Sequence, residues 1–175
     1  MTEATLALDL GAVNTLDRDD FVAAFGSTFE HSPWVAKGAW AARPFASIDA
    51  LHGAMIGVVR SAPRATQIAF LCGHPELAGK QAQAGTMTTE SVGEQASAGL
   101  NALSRDEIGE LRQLNARYLE RHGFPFIVAV RRYSKAQIFE QLRSRLARDS
   151  DTELGEALAQ ISTITRLRVE AKVAA

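Results

Sequence analysis

The sequence predicts an all-α protein, a single compact domain of several unequal helices with no substantial sheet. Three observations carry this. Apolar residues recur at three- and four-residue spacing along most of the chain, the period of a helix buried on one face. The segments SRDE (104–107) and SKAQ (134–137) each place a serine three residues before a glutamate or glutamine, the signature of a reciprocal helix cap. FPFIVAVRR (124–132) is the one strand-like run, and no second convincing run exists to pair with it.

The elements follow in order. Residues 1–15 are expected as a loosely ordered start. Asp17, Asp19 and Asp20 suit a helix amino end, and Phe21, Phe25 and Phe29 then recur every four residues. HSPWVAKGAWAARPF carries both tryptophans and two prolines, and reads as an irregular or short-helical connection. Ser47 caps a helix whose apolar positions include Ile48, Leu51, Met55, Val58 and Val59. Pro63 separates it from the short apolar helix ATQIAFLCG. Pro75 biases His74 away from helical backbone, so that helix stops there.

QAQAGTMT reads as a loop broken by Gly85. A helix then runs from Thr88 or Thr89 to about Leu103. The capping box at Ser104 opens a helix with Ile108, Leu111, Leu114 and Tyr118 as its buried stripe, closed by Gly123 and Pro125. FPFIVAVRR follows as an extended, buried connector. The box at Ser134 opens a helix showing Ile138, Leu142 and Leu146. DSDT (149–152) starts the last helix, with Leu154, Leu158, Ile161, Ile164 and Leu167 inward.

The chain has 175 residues, a length for one domain that buries roughly 70% of its unfolded surface without disulfide or metal. Net charge is −1, from 19 basic and 20 acidic residues, so no general positive excess serves a nucleic-acid partner bound through its phosphates. One cysteine rules out an internal disulfide and fits a reducing compartment. The amino end lacks a basic signal region, the end AKVAA is not a peroxisomal address, and no apolar run approaches about 18 residues. A cytoplasmic protein with no membrane partner is expected.

Chemistry-bearing residues are few. No two of His31, His52, His74 and His122 stand three or four apart, and no cysteine pair exists, so no metal site is expected. His122, in the last turn before Gly123, reads as a cation opposing the helix dipole. His31 and His52 read as ordinary polar positions. Cys72 is two residues from His74, a spacing that does not face a shared partner on a helix, so it reads as a small core residue rather than a nucleophile. His74 is either a helix-end residue or a site residue. Ser91, Glu94 and Gln95 share one helix face beside the small residues Ala98 and Gly99. They form either a solvated first turn or one wall of a pocket. Arg131 ends an apolar run, as a snorkelling base or as an anion clamp that joins the binding set.

Together, RPFASIDALHGAM, HPELAGK, TESVGEQASAGLNALS, LNARYLERHGFPFIVAVR and the K-x-x-I-F-E-x-L-x-x-R-L stretch from Lys135 to Leu146 resemble the 2-oxo-4-hydroxy-4-carboxy-5-ureidoimidazoline (OHCU) decarboxylases of urate breakdown. The resemblance runs in the family's order from about Trp34 to Leu167. Glu76 stands where that pattern often has aspartate, a mild change. Gly93 should loosen its helix by up to ~1 kcal/mol relative to alanine.

The resemblance implies an all-helical, cofactor-free carboxy-lyase, a homodimer whose partner is a small-molecule substrate. It implies His74 as the catalytic acid and Glu94 as the second catalytic residue. It implies substrate contacts at Pro75, at Ser91, Val92, Gly93, Glu94 and Gln95, and along Phe126, Ile127, Val128, Ala129 and Val130. The chemistry is consistent with such a set. The substrate bears a carboxylate beside a ring carbon–nitrogen double bond, so the electron pair left by carbon dioxide flows into its own imine. Protonation of one ring face then sets the stereocentre of S-allantoin. That needs one positioned acid and the exclusion of water. Imidazole, with an ordinary pKa of about 6.5, suits the task. Two alternatives use the same fold: an inactive module binding purine-like or ureido ligands, and a self-associating helical protein using the tryptophan-bearing segment.

Overall fold

The computed structural model describes residues 7–174. Ten α-helices and one pair of two-residue strands make up the regular structure among the described residues, an all-α fold. The chain forms two units, one from residues up to Pro63 together with Ser162–Ala175, the other from Arg64–Ile161.

The first unit begins with β1 (Leu8–Asp9), which pairs in parallel with β2 (Val173–Ala174), Leu8 opposite Val173 and Asp9 opposite Ala174. Of the loosely ordered start expected over residues 1–15, residues 1–6 lie outside the described residues. The remainder holds β1 and α1 (Leu10–Thr15), which Asp9 caps through Ala12 N. Asp17 caps α2 (Arg18–Phe25), and Phe21, Phe25 and Phe29 are all buried. The tryptophan segment is short-helical, α3 (Pro33–Ala39) followed by a 3-10 turn at Trp40–Ala42. Trp40 is tied inward, its Nε1 donating to Leu16 O at 3.3 Å with Arg43 stacked 4.1 Å over its ring. α4 (Ile48–Arg60) starts at Ser47, whose side chain accepts from Ala50 N. It packs on α3, where Gly38 faces Val58 with no space for a side chain.

His52 departs from the expectation of an ordinary polar position. It is buried on α4 and bonds Thr165 Oγ1 at 2.9 Å. Burial, with help from Arg166 and Arg60, lowers its pKa. Arg168 and Glu30 form a buried pair at 3.2 Å in the same unit.

The second unit opens with α5 (Arg64–Cys72), which ends just before His74 as Pro75 requires. QAQA is helical rather than loop: α6 (Lys80–Ala84) is one turn, closed by Gly85 in the left-handed region at φ 67°. α7 (Thr89–Ser97) ends six residues before the expected Leu103, because the chain turns left-handed at Gly99 (φ 74°). Both capping boxes form. Ser104 and Glu107 exchange bonds of 2.8 and 3.2 Å at the start of α8 (Arg105–His122), and Ser134 and Gln137 bonds of 2.9 and 3.3 Å at the start of α9 (Lys135–Leu146). Between them residues 124–129 run extended and buried into a 3-10 turn at Val130–Arg132. α10 (Ser150–Lys172) begins in this unit and ends in the first.

His122 is not the cation expected at the end of α8. It is buried, bonds Ser150 Oγ through Nδ1 at 2.9 Å and stacks near Tyr118, and burial lowers its pKa. Cys72 is likewise not a core residue. It is exposed, and its thiol donates to Gly123 O at 3.4 Å.

Candidate active site

Every residue expected at the site falls within the second unit. His74 follows α5 in a tight turn of residues 74–79 and is half-buried, with Pro75 buried behind it. Leu71 O accepts from His74 N at 3.0 Å, so the helix closes on the histidine and releases its side chain from the helical register. The turn then winds hard. Ala78 is left-handed at φ 47°, a conformation that costs a non-glycine residue roughly 1–2 kcal/mol. A β-carbon on Gly79 would lie 2.7 Å from that of Glu76, so only glycine fits there.

Gln95 joins this turn to α7. Its Oε1 accepts from Ala78 N at 2.9 Å, and its Nε2 donates to Glu76 O at 3.4 Å and to Met87 Sδ at 3.3 Å. The helix carrying Ser91 and Glu94 is therefore fastened to the turn carrying His74. Ser91 and Gln95 are buried, Glu94 is half-buried, and Val92 and Gly93 are exposed. The amide expected to recognise substrate is thus engaged by the protein's own backbone.

α7 packs in turn on the 3-10 turn at Val130–Arg132, which brings the third expected segment alongside. Phe126, Ile127, Val128, Ala129 and Val130 are all buried. An extended buried strand without a neighbour must find polar partners elsewhere. Here they are side chains: Arg145 Nη1 donates to Ile127 O at 2.8 Å, and Gln160 Oε1 accepts from Ala129 N at 2.9 Å. Two of the backbone groups available in this segment are so occupied. Arg145 also lies 4.6 Å over the Phe126 ring and pairs with Glu153 at 2.9 Å, and Tyr118 Oη donates to the same carboxylate at 2.5 Å. Arg131 is exposed, so it is no buried clamp.

A cleft of about 480 Å³ opens beside α7, lined by Ala78, Met87, Val92, Gln95, Ala96 and Ile108 among others. A larger one of about 560 Å³ between α8 and α9 holds none of the expected residues. Among the described residues no group of three histidines, cysteines or carboxylates is placed to hold a metal.

The residues that sequence reasoning missed are Asn115, Arg145 and Gln160. Asn115 and Arg145 sit in register with buried apolar stripes, after Leu111 and Leu114 and after Ile138 and Leu142. A polar residue on the inward face of a helix was the available signal, since burial demands a partner for it.

The family model described as OHCU decarboxylase matches residues 14–170 of the chain. This chain belongs to the OHCU decarboxylase family. The 2-oxo-4-hydroxy-4-carboxy-5-ureidoimidazoline decarboxylase of Haloferax volcanii is 43% identical over 162 residues, 93% of this chain and 94% of that protein. That of Mus musculus is 39% identical over 162 residues, 93% of this chain and 91% of that protein. The uric acid degradation bifunctional protein PucL of Bacillus subtilis is 41% identical over 90% of this chain, which spans 31% of that longer protein. Among solved structures, an (S)-allantoin synthase shares the fold with a TM-score of 0.73 at 24% identity, over 95% of this chain and 54% of that one. An OHCU decarboxylase crystallised in the presence of (S)-allantoin shares it with a TM-score of 0.64 at 22% identity, over 86% of this chain and 94% of that one. The family match thus covers all three segments that the second unit gathers around α7.

Proposed function

We propose that this protein decarboxylates 2-oxo-4-hydroxy-4-carboxy-5-ureidoimidazoline to S-allantoin in urate breakdown, without a cofactor. The observation that carries the reading is the fastening of the His74 turn to α7 by Gln95, within a chain of the decarboxylase family. It ties the turn that carries His74 to the helix that carries Ser91 and Glu94.

In the reaction the bond between ring carbon and carboxylate breaks, and its electron pair moves into the adjacent imine. Carbon dioxide leaves, the hydroxyl on that carbon collapses to the ring carbonyl, and His74 gives a proton to one face of the neighbouring ring carbon, the one that bears the ureido group. Glu94 orients the imidazole or accepts a hydrogen bond from the ureido group, and Ser91 donates or accepts singly. Pro75 and the buried segment Phe126–Val130 shape an apolar wall that keeps water from the other face. Val92, Gly93 and Arg131 border the substrate from their exposed positions. The protein works as a homodimer in the cytoplasm, with the small substrate as its ligand and neither nucleic acid nor membrane as a partner. No helix among the described residues is long and apolar enough to cross a membrane.

A coupled assay tests this. Urate oxidase and the preceding hydrolase generate the unstable substrate in place, in chelator-treated buffer, and circular dichroism follows the allantoin formed. Rapid appearance of one enantiomer is expected. Racemic allantoin at the spontaneous rate, or activity that returns only on adding a metal, would contradict the reading.

A further inference from the structure

Asn115 is a buried polar side chain to which the chemistry above gives no role. It lies in the inward stripe of α8 with Leu111, Leu114 and Tyr118, only 4% exposed. Its Nδ2 donates to Leu77 O at 3.2 Å. Its Oδ1 is buried with no hydrogen-bond partner. As a packing element this is a poor choice, because an apolar side chain of similar size would leave no acceptor orphaned on α8. What the amide supplies is one donor, aimed at the middle of the turn that presents His74.

The neighbours of Leu77 are held from the other side. Gln95 takes Ala78 N and Glu76 O. Three consecutive residues of the turn are thus fastened through their backbones by side chains from α7 and α8. The turn needs such fastening. Ala78 is left-handed, and Gly79 is packed against Glu76 with no slack. An alanine in this region relaxes toward ordinary backbone when its restraints are removed. Any unwinding between residues 76 and 79 swings the preceding Pro75 and His74.

We propose that Asn115 is a positioning residue for the reaction: by holding Leu77 O it keeps the HPELAG turn wound and fixes the direction of the His74 ring. This rests on the decarboxylase reading. Asn115 acts through the turn and touches no reacting atom.

The test is Asn115→Leu, assayed for kcat, KM and the enantiomeric excess of the allantoin, below the variant's unfolding midpoint. A displaced catalytic group can cost up to about 10²-fold in rate. We expect kcat to fall roughly tenfold to a hundredfold on that ground, KM to change little, and enantiomeric excess to drop. Adding Ala78→Gly, which accepts left-handed backbone without strain, should restore part of both losses. If Asn115→Leu does not fold, Asn115→Ala carries the same readouts. A folded variant with wild-type kcat and enantiomeric excess would overturn the proposal. So would a lowered midpoint with unchanged enantiomeric excess, which marks a merely structural residue. A wild-type protein that yields racemic allantoin would instead sink the decarboxylase reading, so the two failures are distinct.

Discussion

The turn that carries His74 is decided by single residues. Pro75 ends α5, Ala78 turns left-handed, Gly79 clears Glu76, and Gln95 takes two of the backbone groups this winding exposes. Gln95 and Glu94 therefore divide their work differently from two substrate ligands. Glu94→Gln should leave the unfolding midpoint unchanged and lower kcat by up to about 10²-fold, the cost of a misplaced catalytic group. Gln95→Ala should cost ~1–3 kcal/mol of stability, for the groups it leaves unpaired, and less of kcat. Equal rates at saturating substrate would refute this division. Cys72 lies two residues away and is exposed, yet the packing around its sulfur raises its thiol above the ordinary value. A raised thiol holds little thiolate at neutral pH. Cys72→Ala should keep most activity, and a covalent thiol adduct trapped during turnover would sink that expectation.

At the scale of elements, the buried connector between α8 and α9 depends on charge. Arg145 and Glu153 are almost completely buried, and Arg145 holds Ile127 O. Removing one partner of such a pair leaves an uncompensated charge, at ~3–5 kcal/mol. Arg145→Met should lower the unfolding midpoint on the order of 10 °C for a chain of this size. Calorimetry checks it, and a shift of only a degree or two would show that Tyr118 and Arg148 satisfy Glu153 without Arg145. Helix starts were legible in the sequence because their chemistry is local: Asp17, Ser47, Ser104 and Ser134 each cap the backbone three residues on. The all-α class followed from the same periodicity. The single turn of α6 was not legible, since five residues carry no periodicity. Nor was the early end of α7, where left-handed Gly99 stops a pattern that sequence lets run on. The site segments were legible by resemblance, and the fastening between them was not. Gln95 reaches back nearly twenty residues to Ala78 and Asn115 nearly forty to Leu77, and spacing along one helix cannot show either partner.

Over the whole molecule, each unit buries one neutral histidine, His52 in the first and His122 in the second, and burial lowers the pKa of both from the ordinary 6.5. Below about pH 6.5 the unfolded chain therefore binds protons that the folded chain resists. Stability from these groups is full above that pH and is lost as pH falls through the lower folded values. The unfolding midpoint should decline from pH 7.5 to 5.5, and His52→Asn with His122→Asn should flatten the slope. An unchanged slope in the double variant would assign the acid sensitivity elsewhere. The central claim, that His74 is the acid which chooses one face of the ring, is tested most directly by His74→Asn in the coupled assay. Asparagine keeps the turn, since it tolerates the same backbone and still hydrogen-bonds, but it delivers no proton at neutral pH. The measurement is the optical activity of the allantoin formed by this variant, taken with its midpoint. A folded protein whose product drifts toward the racemate, at a rate about 10²–10⁴ lower, is the predicted result. A folded variant that makes optically pure S-allantoin at near-normal rate would contradict it.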